Sequence, residues 1–156
     1  MNIKKKFLSL ILCTLFFNSL PLVVYASENY EILDSVVERL ENGDYITITI
    51  VDNYGNQRSS GSKSKIYDYY SSNNVKLWRY TLNGEFSYDG SSSSCTGVSD
   101  SFFSYDNNYR LINKNCYKSG NTAYGSFSVE QKFMGIKINT FNDSISISCS
   151  PNGNYT

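Results

Sequence analysis

The residues whose types and spacing bear on chemistry are three cysteines, Cys95, Cys116 and Cys149, and a tyrosine run, Tyr67, Tyr69 and Tyr70. The 156-residue chain contains no histidine, so the Ser-His and Cys-His pairs that activate a hydroxyl or thiol nucleophile are ruled out. A serine-lysine pairing would have to use "SKSK", Ser62 to Lys65. That stretch reads as a polar, solvated loop with nothing to desolvate an amine. Glu85 and Asp89 share a strand face, but four residues separate them by roughly 13 Å. Glycoside hydrolysis wants two carboxylates roughly 5 to 9.5 Å apart, which leaves only a cross-strand partner such as Asp68 or Asp100. Ordinary exposed carboxylates are the expectation there. Zinc is disfavoured because the cysteines are far apart without a C-x-x-C pair. The oxygen donors at 52–56 and 106–108 read as turns, because neither has the spacing of a calcium loop. No cofactor and no metal site is expected.

Tyrosine is the positive signal. The chain holds 14 Tyr and one Trp, more ring area than one small core needs. Tyrosine combines a large contact surface with a low entropy cost on ordering, and its ring packs against sugars or anchors a partner protein. Along an extended chain Tyr67 and Tyr69 face one way and Tyr70 the other. At least one face of this stretch therefore keeps tyrosine in water, and Tyr67, Tyr69 and Tyr70 form the candidate ligand-binding cluster.

The start of the chain reads as a targeting segment. Lys4, Lys5 and Lys6 precede an apolar run over 7–24, and Val24-Tyr25-Ala26 resembles a signal cleavage site. Residues 1–26 are thus expected to direct secretion and to be removed after Ala26. The 14 Lys and Arg fall to 11 when that segment leaves while all 14 acids remain, a net charge of −3. This argues against nucleic acid and, after cleavage, against a membrane as partner. About 130 residues make one ordinary domain.

These side chains must be positioned by strands. Ile32, Leu33, Val36, Val37 and Leu40 fall at helical spacing before Asn42-Gly43, which predicts a short amphipathic helix within 27–43. From 44 to 156 alternation dominates. "DYITITIV" reads as a strand, and "KIYDYY" with "VKLWRYTLNGEFSYDG" reads as a hairpin turning at 71–74. In its second arm Trp78, Tyr80, Leu82, Phe86 and Tyr88 share a face, and Gly84 among them signals a bulge or close backbone approach. Further strands are "CTGVSDSFFSY", "NNYRLIN", "TAYGSFSVEQKF", and "IKINT" and "SISISC" on either side of a turn at Phe141-Asn142-Asp143. About seven short strands with frequent turn signals predict an all-β, immunoglobulin-like antiparallel β-sandwich.

"KIYDYY", the later "LW", "FSYDG" leading to Cys95, "SGNTA" at 119–123 and "CSPNG" at 149–153 occur in that order over roughly residues 63–154. In this the chain resembles a group of small secreted β-rich proteins of low-GC Gram-positive bacteria, especially clostridia and their relatives. The resemblance implies an exported β-rich domain and no particular activity. Export permits a disulfide, and loop entropy separates the pairings by only about 1 kcal/mol. Strand phase chooses among them: Cys149 continues the Ile145, Ile147 face, while Cys95 has small neighbours, Gly97 and Ser99, on its own. A Cys95 to Cys149 bridge is therefore expected, and the resemblance points the same way. Cys116, between Lys114 and Lys118, is expected as a free thiol in an exposed turn whose cations favour the thiolate.

The reading from sequence is a secreted, monomeric, non-enzymatic binding module. Its partner would be a cell-wall or host glycan or a surface protein. The alternative is a secreted hydrolase or toxin that uses a pair of acids.

Overall fold

The computed structural model describes residues 31–53 and 59–156; residues 1–26, expected from the sequence to direct secretion, lie outside them. Among these residues there are eight antiparallel strands, seven of them in the stretches read as alternating: β1 (Glu31–Arg39), β2 (Tyr45–Asp52), β3 (Ser60–Tyr70), β4 (Lys76–Tyr88), β5 (Ser93–Ser104), β6 (Tyr109–Ser119), β7 (Thr122–Phe133) and β8 (Ile136–Ser148). The first five form one sheet in chain order and the last three a second. Between β5 and β6 the chain crosses from one sheet to the other.

Three expectations change. The described part of the expected helix, residues 31–43, is not helical; 31–39 are β1, paired from Glu31 opposite Asp52 to Arg39 opposite Tyr45. An isolated helix of this length is marginal in water, whereas the open edge of β2 offers a continuous ladder of backbone hydrogen bonds. The Asn42-Gly43 stop survives as the hairpin turn, with Gly43 at φ 86°. Secondly, residues 136–148 are one strand, because β8 stays paired to β7 through Phe141, Asn142 and Asp143. Thirdly, Ser62 to Lys65 lie inside β3, and Lys63 is buried in an ion pair with Asp52. Asp52 is its direct cross-strand neighbour, and the Tyr155 ring lies 4.7 Å from the ammonium.

The two sheets meet on an aromatic core. Trp78 on β4 is enclosed by Tyr67 and Tyr69 of β3, with ring centroids 5.4 and 5.2 Å away and planes within 7° of parallel. Phe127 on β7 and Phe141 on β8 close over these rings from the second sheet. Close approach of the sheets needs small residues. A side chain at Gly84 would meet the Phe86 ring at 2.5 Å and Ala123 at 3.2 Å, and one at Gly125 would meet the Tyr80 hydroxyl at 2.6 Å.

The turns at 40–44, 71–75, 105–108 and 134–135 gather at one end of the molecule, because the strands run up and down in sequence. Hydrogen bonds link successive turns: Ser72 N–H to the Asp44 carboxylate at 2.9 Å, Tyr105 N–H to Leu77 C=O at 2.9 Å, and Lys132 N–H to Asn108 C=O at 2.8 Å. The opposite end is stitched by residues 149–156. Gly90 N–H donates to Pro151 C=O at 2.9 Å, and the Ser93 hydroxyl and Asn121 amide both donate to Cys149 C=O, at 2.6 and 2.7 Å. On the edge strands β1 and β8, three backbone N–H groups are taken by the side chain just before them: Ser35 by Asp34, Thr140 by Asn139 and Ser144 by Asp143.

Burial first, and then the carboxylates of Asp143, Asp44 and Asp100 respectively, hold the hydroxyls of Tyr67, Tyr69 and Tyr80 protonated far above the ordinary tyrosine range. Burial also pushes Tyr109 up to about 12. Unfolded tyrosines ionise near pH 10, so this contribution to stability is fully present below about pH 10 and is lost as the pH rises toward the raised values. The free energy of unfolding from urea titrations should be flat from about pH 6 to 7.5 and begin to fall at about pH 8.5, where the unfolded thiols of Cys95, Cys116 and Cys149 ionise while burial raises all three in the fold. Above about pH 10 that free energy should drop by up to about a further 1.4 kcal/mol per pH unit for each such tyrosine. Tyrosinate absorbance should rise in two steps, the second coinciding with unfolding.

Candidate functional site: a row of rings and cations

Strand phase divides the tyrosine cluster. Tyr67 and Tyr69 are 4% and 1% exposed and belong to the core. They cannot bind a ligand from solvent, which corrects that part of the expectation. The cause is the β3-β4 register, which sets Tyr69 directly opposite Trp78 and Tyr67 opposite Tyr80. Tyr70 points to the other side of the sheet and is half-buried on its outer face.

There Tyr70 is the centre of a row that crosses five strands. The pairing places Arg39 beside Tyr45, Tyr45 beside Tyr70 and, after a bulge that leaves Leu77 as the extra residue, Tyr70 beside Lys76. The Tyr45 and Tyr70 rings stack at 4.8 Å with planes 2° apart. The Arg39 guanidinium caps the Tyr45 ring at 5.9 Å, and the Lys76 ammonium lies 5.3 Å from the Tyr70 ring and 5.7 Å from that of Tyr105. Phe103 meets Tyr105 edge to face at 4.7 Å, and both are exposed. Asp68, one row below, organises the cations. It accepts two hydrogen bonds from Arg79 and one from Lys76, each 2.7 Å long. Burial works against the Lys76 ammonium, but the bonds to Asp68 and Tyr70 outweigh it and hold the amine above its ordinary value. The lysine is therefore charged at any physiological pH.

The row thus offers three cations against one carboxylate, with a free aromatic platform, Phe103 and Tyr105, at one end. Tyr70 was named from the sequence; Arg39, Tyr45, Lys76, Arg79, Phe103 and Tyr105 were not. Leu40 and Asp44 close a three-residue loop, Glu41-Asn42-Gly43, and this sets Arg39 opposite Tyr45, whereas a two-residue turn at Asn42-Gly43 would have set Arg39 opposite Ile46.

Asp68 and Asp100, the cross-strand candidates, lie on opposite faces of the sheet. Asp68 faces outward in its ion pairs, while Asp100 faces inward, accepting from Tyr80 O–H at 2.9 Å and pairing with Lys114. Asp89 is occupied as the acceptor of a turn, from the N–H groups of Ser91 and Ser92. Among the described residues no three Cys, Asp or Glu side chains gather as metal ligands.

Cys95, Cys116 and Cys149 are all free thiols, so the Cys95 to Cys149 bridge is not formed in this structure. Strand phase does put both in the shared core. Their backbones flank the β6-β7 turn, Cys95 N–H on Gly120 C=O and Cys149 N–H on Asn121 C=O. Each thiol instead contacts a carbonyl in its own segment, Gly97 at 3.2 Å and Ser150 at 3.4 Å. Cys116 corrects another expectation. It lies within β6, not in a turn, and a bulge between Leu111 and Asn113 sets its phase against Gly125. Partial burial and the nearby Asp100 raise its thiol above the ordinary range, and Lys114 does not reverse the shift.

No family model, curated protein or solved structure matches the chain. The class is defined by the architecture: an all-β protein of two antiparallel sheets.

Brief alkylation of the native reduced protein should label Cys116 alone, and slowly, with the rate climbing as pH rises past the ordinary thiol range of about 8.5. Cys95 and Cys149 should react only on unfolding. Peptide mapping of each timed sample checks this.

Proposed function

We propose that this is a secreted, non-enzymatic binding module, released by cleavage after Ala26, whose immunoglobulin-like β-sandwich holds acidic glycans of a cell wall or host surface. The row from Arg39 through Tyr45, Tyr70, Lys76 and Tyr105 to Phe103 is the observation that carries this reading. Phe103 and Tyr105 offer rings against which the C–H face of a sugar packs. The stacked faces of Tyr45 and Tyr70 are covered by Arg39 and Lys76, so these tyrosines act by holding the cations outward in a fixed spacing. A carboxylate or sulfate on the glycan would meet the two charges, while Asp68 keeps Lys76 and Arg79 from turning away. On a chain with a net charge of −3 after cleavage, this row is a locally positive surface toward which an acidic ligand is drawn.

The processed protein should bind acidic polysaccharides saturably in glycan-array and wall pull-down measurements. Tyr70→Ala and Lys76→Ala should each weaken that binding about 3- to 30-fold, with unchanged circular dichroism. Tyr69→Ala should instead unfold the protein or lower its stability by about 3 to 5 kcal/mol, since it removes a ring from the core. Binding that is absent for all acidic glycans, or that survives both outer-face substitutions, would overturn the assignment. Turnover of a polysaccharide or peptide abolished by one Asp or Glu substitution would overturn the non-enzymatic reading.

A further inference from the structure

The β7-β8 hairpin carries a second surface, made of different residues from the ring-and-cation row. At its tip Phe133, Met134, Ile136 and Ile138 are 59%, 85%, 70% and 57% exposed, four large apolar side chains within six consecutive residues. Met134 and Gly135 form a two-residue turn with φ of 51° and 80°. Both central positions of such a turn need the left-handed conformation, which Asn-Gly adopts readily and a methionine adopts only at a cost. Asparagine would make the same turn without that cost. Methionine at the apex is therefore explained by its side chain, which is the most exposed of the large apolar groups.

A convex apolar tip needs a deformable apolar phase or a groove in a protein. The charges at its base decide between them. Lys132 and Lys137 are direct cross-strand neighbours, and with Arg110 they surround a single carboxylate, Glu130, at 3.3, 4.0 and 3.6 Å. Like charges side by side on adjacent strands repel, and an anionic headgroup between them relieves the repulsion. From the lysine pair to the apex the hairpin extends about 7 Å at the rise of an extended chain, which matches the roughly 5–10 Å to which interfacial elements bury apolar groups. Exposed Val75 and Tyr105 belong to the turns at the same end of the molecule.

We infer that the tip of the β7-β8 hairpin is an interfacial membrane-insertion element that enters anionic lipid bilayers through Phe133, Met134, Ile136 and Ile138 while Lys132 and Lys137 hold the headgroups. The net charge of −3, which argued against a membrane partner, is an average over the processed chain, and the base of this hairpin carries the opposite sign. The inference is independent of the glycan reading, because vesicles without carbohydrate test it.

In a Trp78→Phe background, Met134→Trp places the sole indole at the apex, so its signal reports insertion whatever the rest of the chain does. Vesicles of phosphatidylglycerol and phosphatidylcholine should shift its emission to the blue, and bromine on the acyl chains should quench it. In the native sequence, Lys132→Glu with Lys137→Glu should weaken vesicle co-sedimentation at least tenfold. Met134→Asn should weaken it by a similar factor while leaving the thermal midpoint unchanged or higher. Should Trp78→Phe fail to fold, a fluorophore at position 134 on a chain with its cysteines changed to serine gives the same readout. An apex signal that vesicles leave unaltered overturns the inference. So does a concentration-dependent dimer that Met134→Asn abolishes, which would assign the tip to a second copy of the chain.

Discussion

Trp78 between Tyr67 and Tyr69 is the contact on which the rest of the molecule depends. Two rings two residues apart on β3 embrace one ring on β4, so the pair of strands has one register that fills the core. A slip by one residue would turn every side chain of β3 to the opposite face. It would expose Tyr67 and Tyr69 and bury Asp68 and Tyr70 between the sheets. With the register fixed, Asp68 and Tyr70 must lie on the outer side of the sheet, where the cations on the neighbouring strands cover them. The ring-and-cation row is thus the outer image of the core. The extra residue Leu77 carries Lys76 to the Tyr70 ring, and on the far side Trp78 still meets Tyr69.

Much of this was legible in the sequence where side-chain phase alone decides the outcome. The β3-β4 hairpin, the inward set of Trp78, Tyr80, Leu82 and Phe86, the close backbone approach at Gly84 and the inward course of Cys149 all follow from a period of two and from residue size. What phase could not supply was direction. The alternation around Tyr67 to Tyr70 says that the faces differ but not which one meets the second sheet, because tyrosine suits both. The β1 segment was ambiguous in another way, since Ile32, Leu33, Val36, Val37 and Leu40 satisfy a helical spacing. Pairing with β2 across the hairpin, a contact outside the segment itself, overrides that local preference.

Bulges account for the other departures. Phase counted from a strand's start holds only until an extra residue intervenes, and β6 has one between Leu111 and Asn113. Beyond it Lys114 pairs with Asp100, and Cys116 lies opposite Gly125. The lysines that flank Cys116 in sequence are thereby drawn into other bonds, Lys118 to Thr96 C=O as well as Lys114 to Asp100. Sequence neighbourhood misjudged this thiol because the cations answer to partners across the fold. The same consideration separates Cys95 from Cys149. Both reach one core, yet each is anchored to its own carbonyl, and proximity in phase is a weaker condition than the narrow geometry of a sulfur-sulfur bond.

The short side chains along the free borders of β1 and β8 bear on how these molecules behave in a crowd. An open sheet border is a template on which another chain can add itself, and repeated addition makes a fibre. Asp34, Asn139 and Asp143 each fold back on the next residue's N–H, so at those points the border has no donor to extend to a newcomer. β1 and β8 are one outer border of each sheet, and growth there meets an interruption at Ser35, Thr140 or Ser144. At these two borders short polar side chains thus limit the addition of a further strand, in the place of a proline or a covering helix.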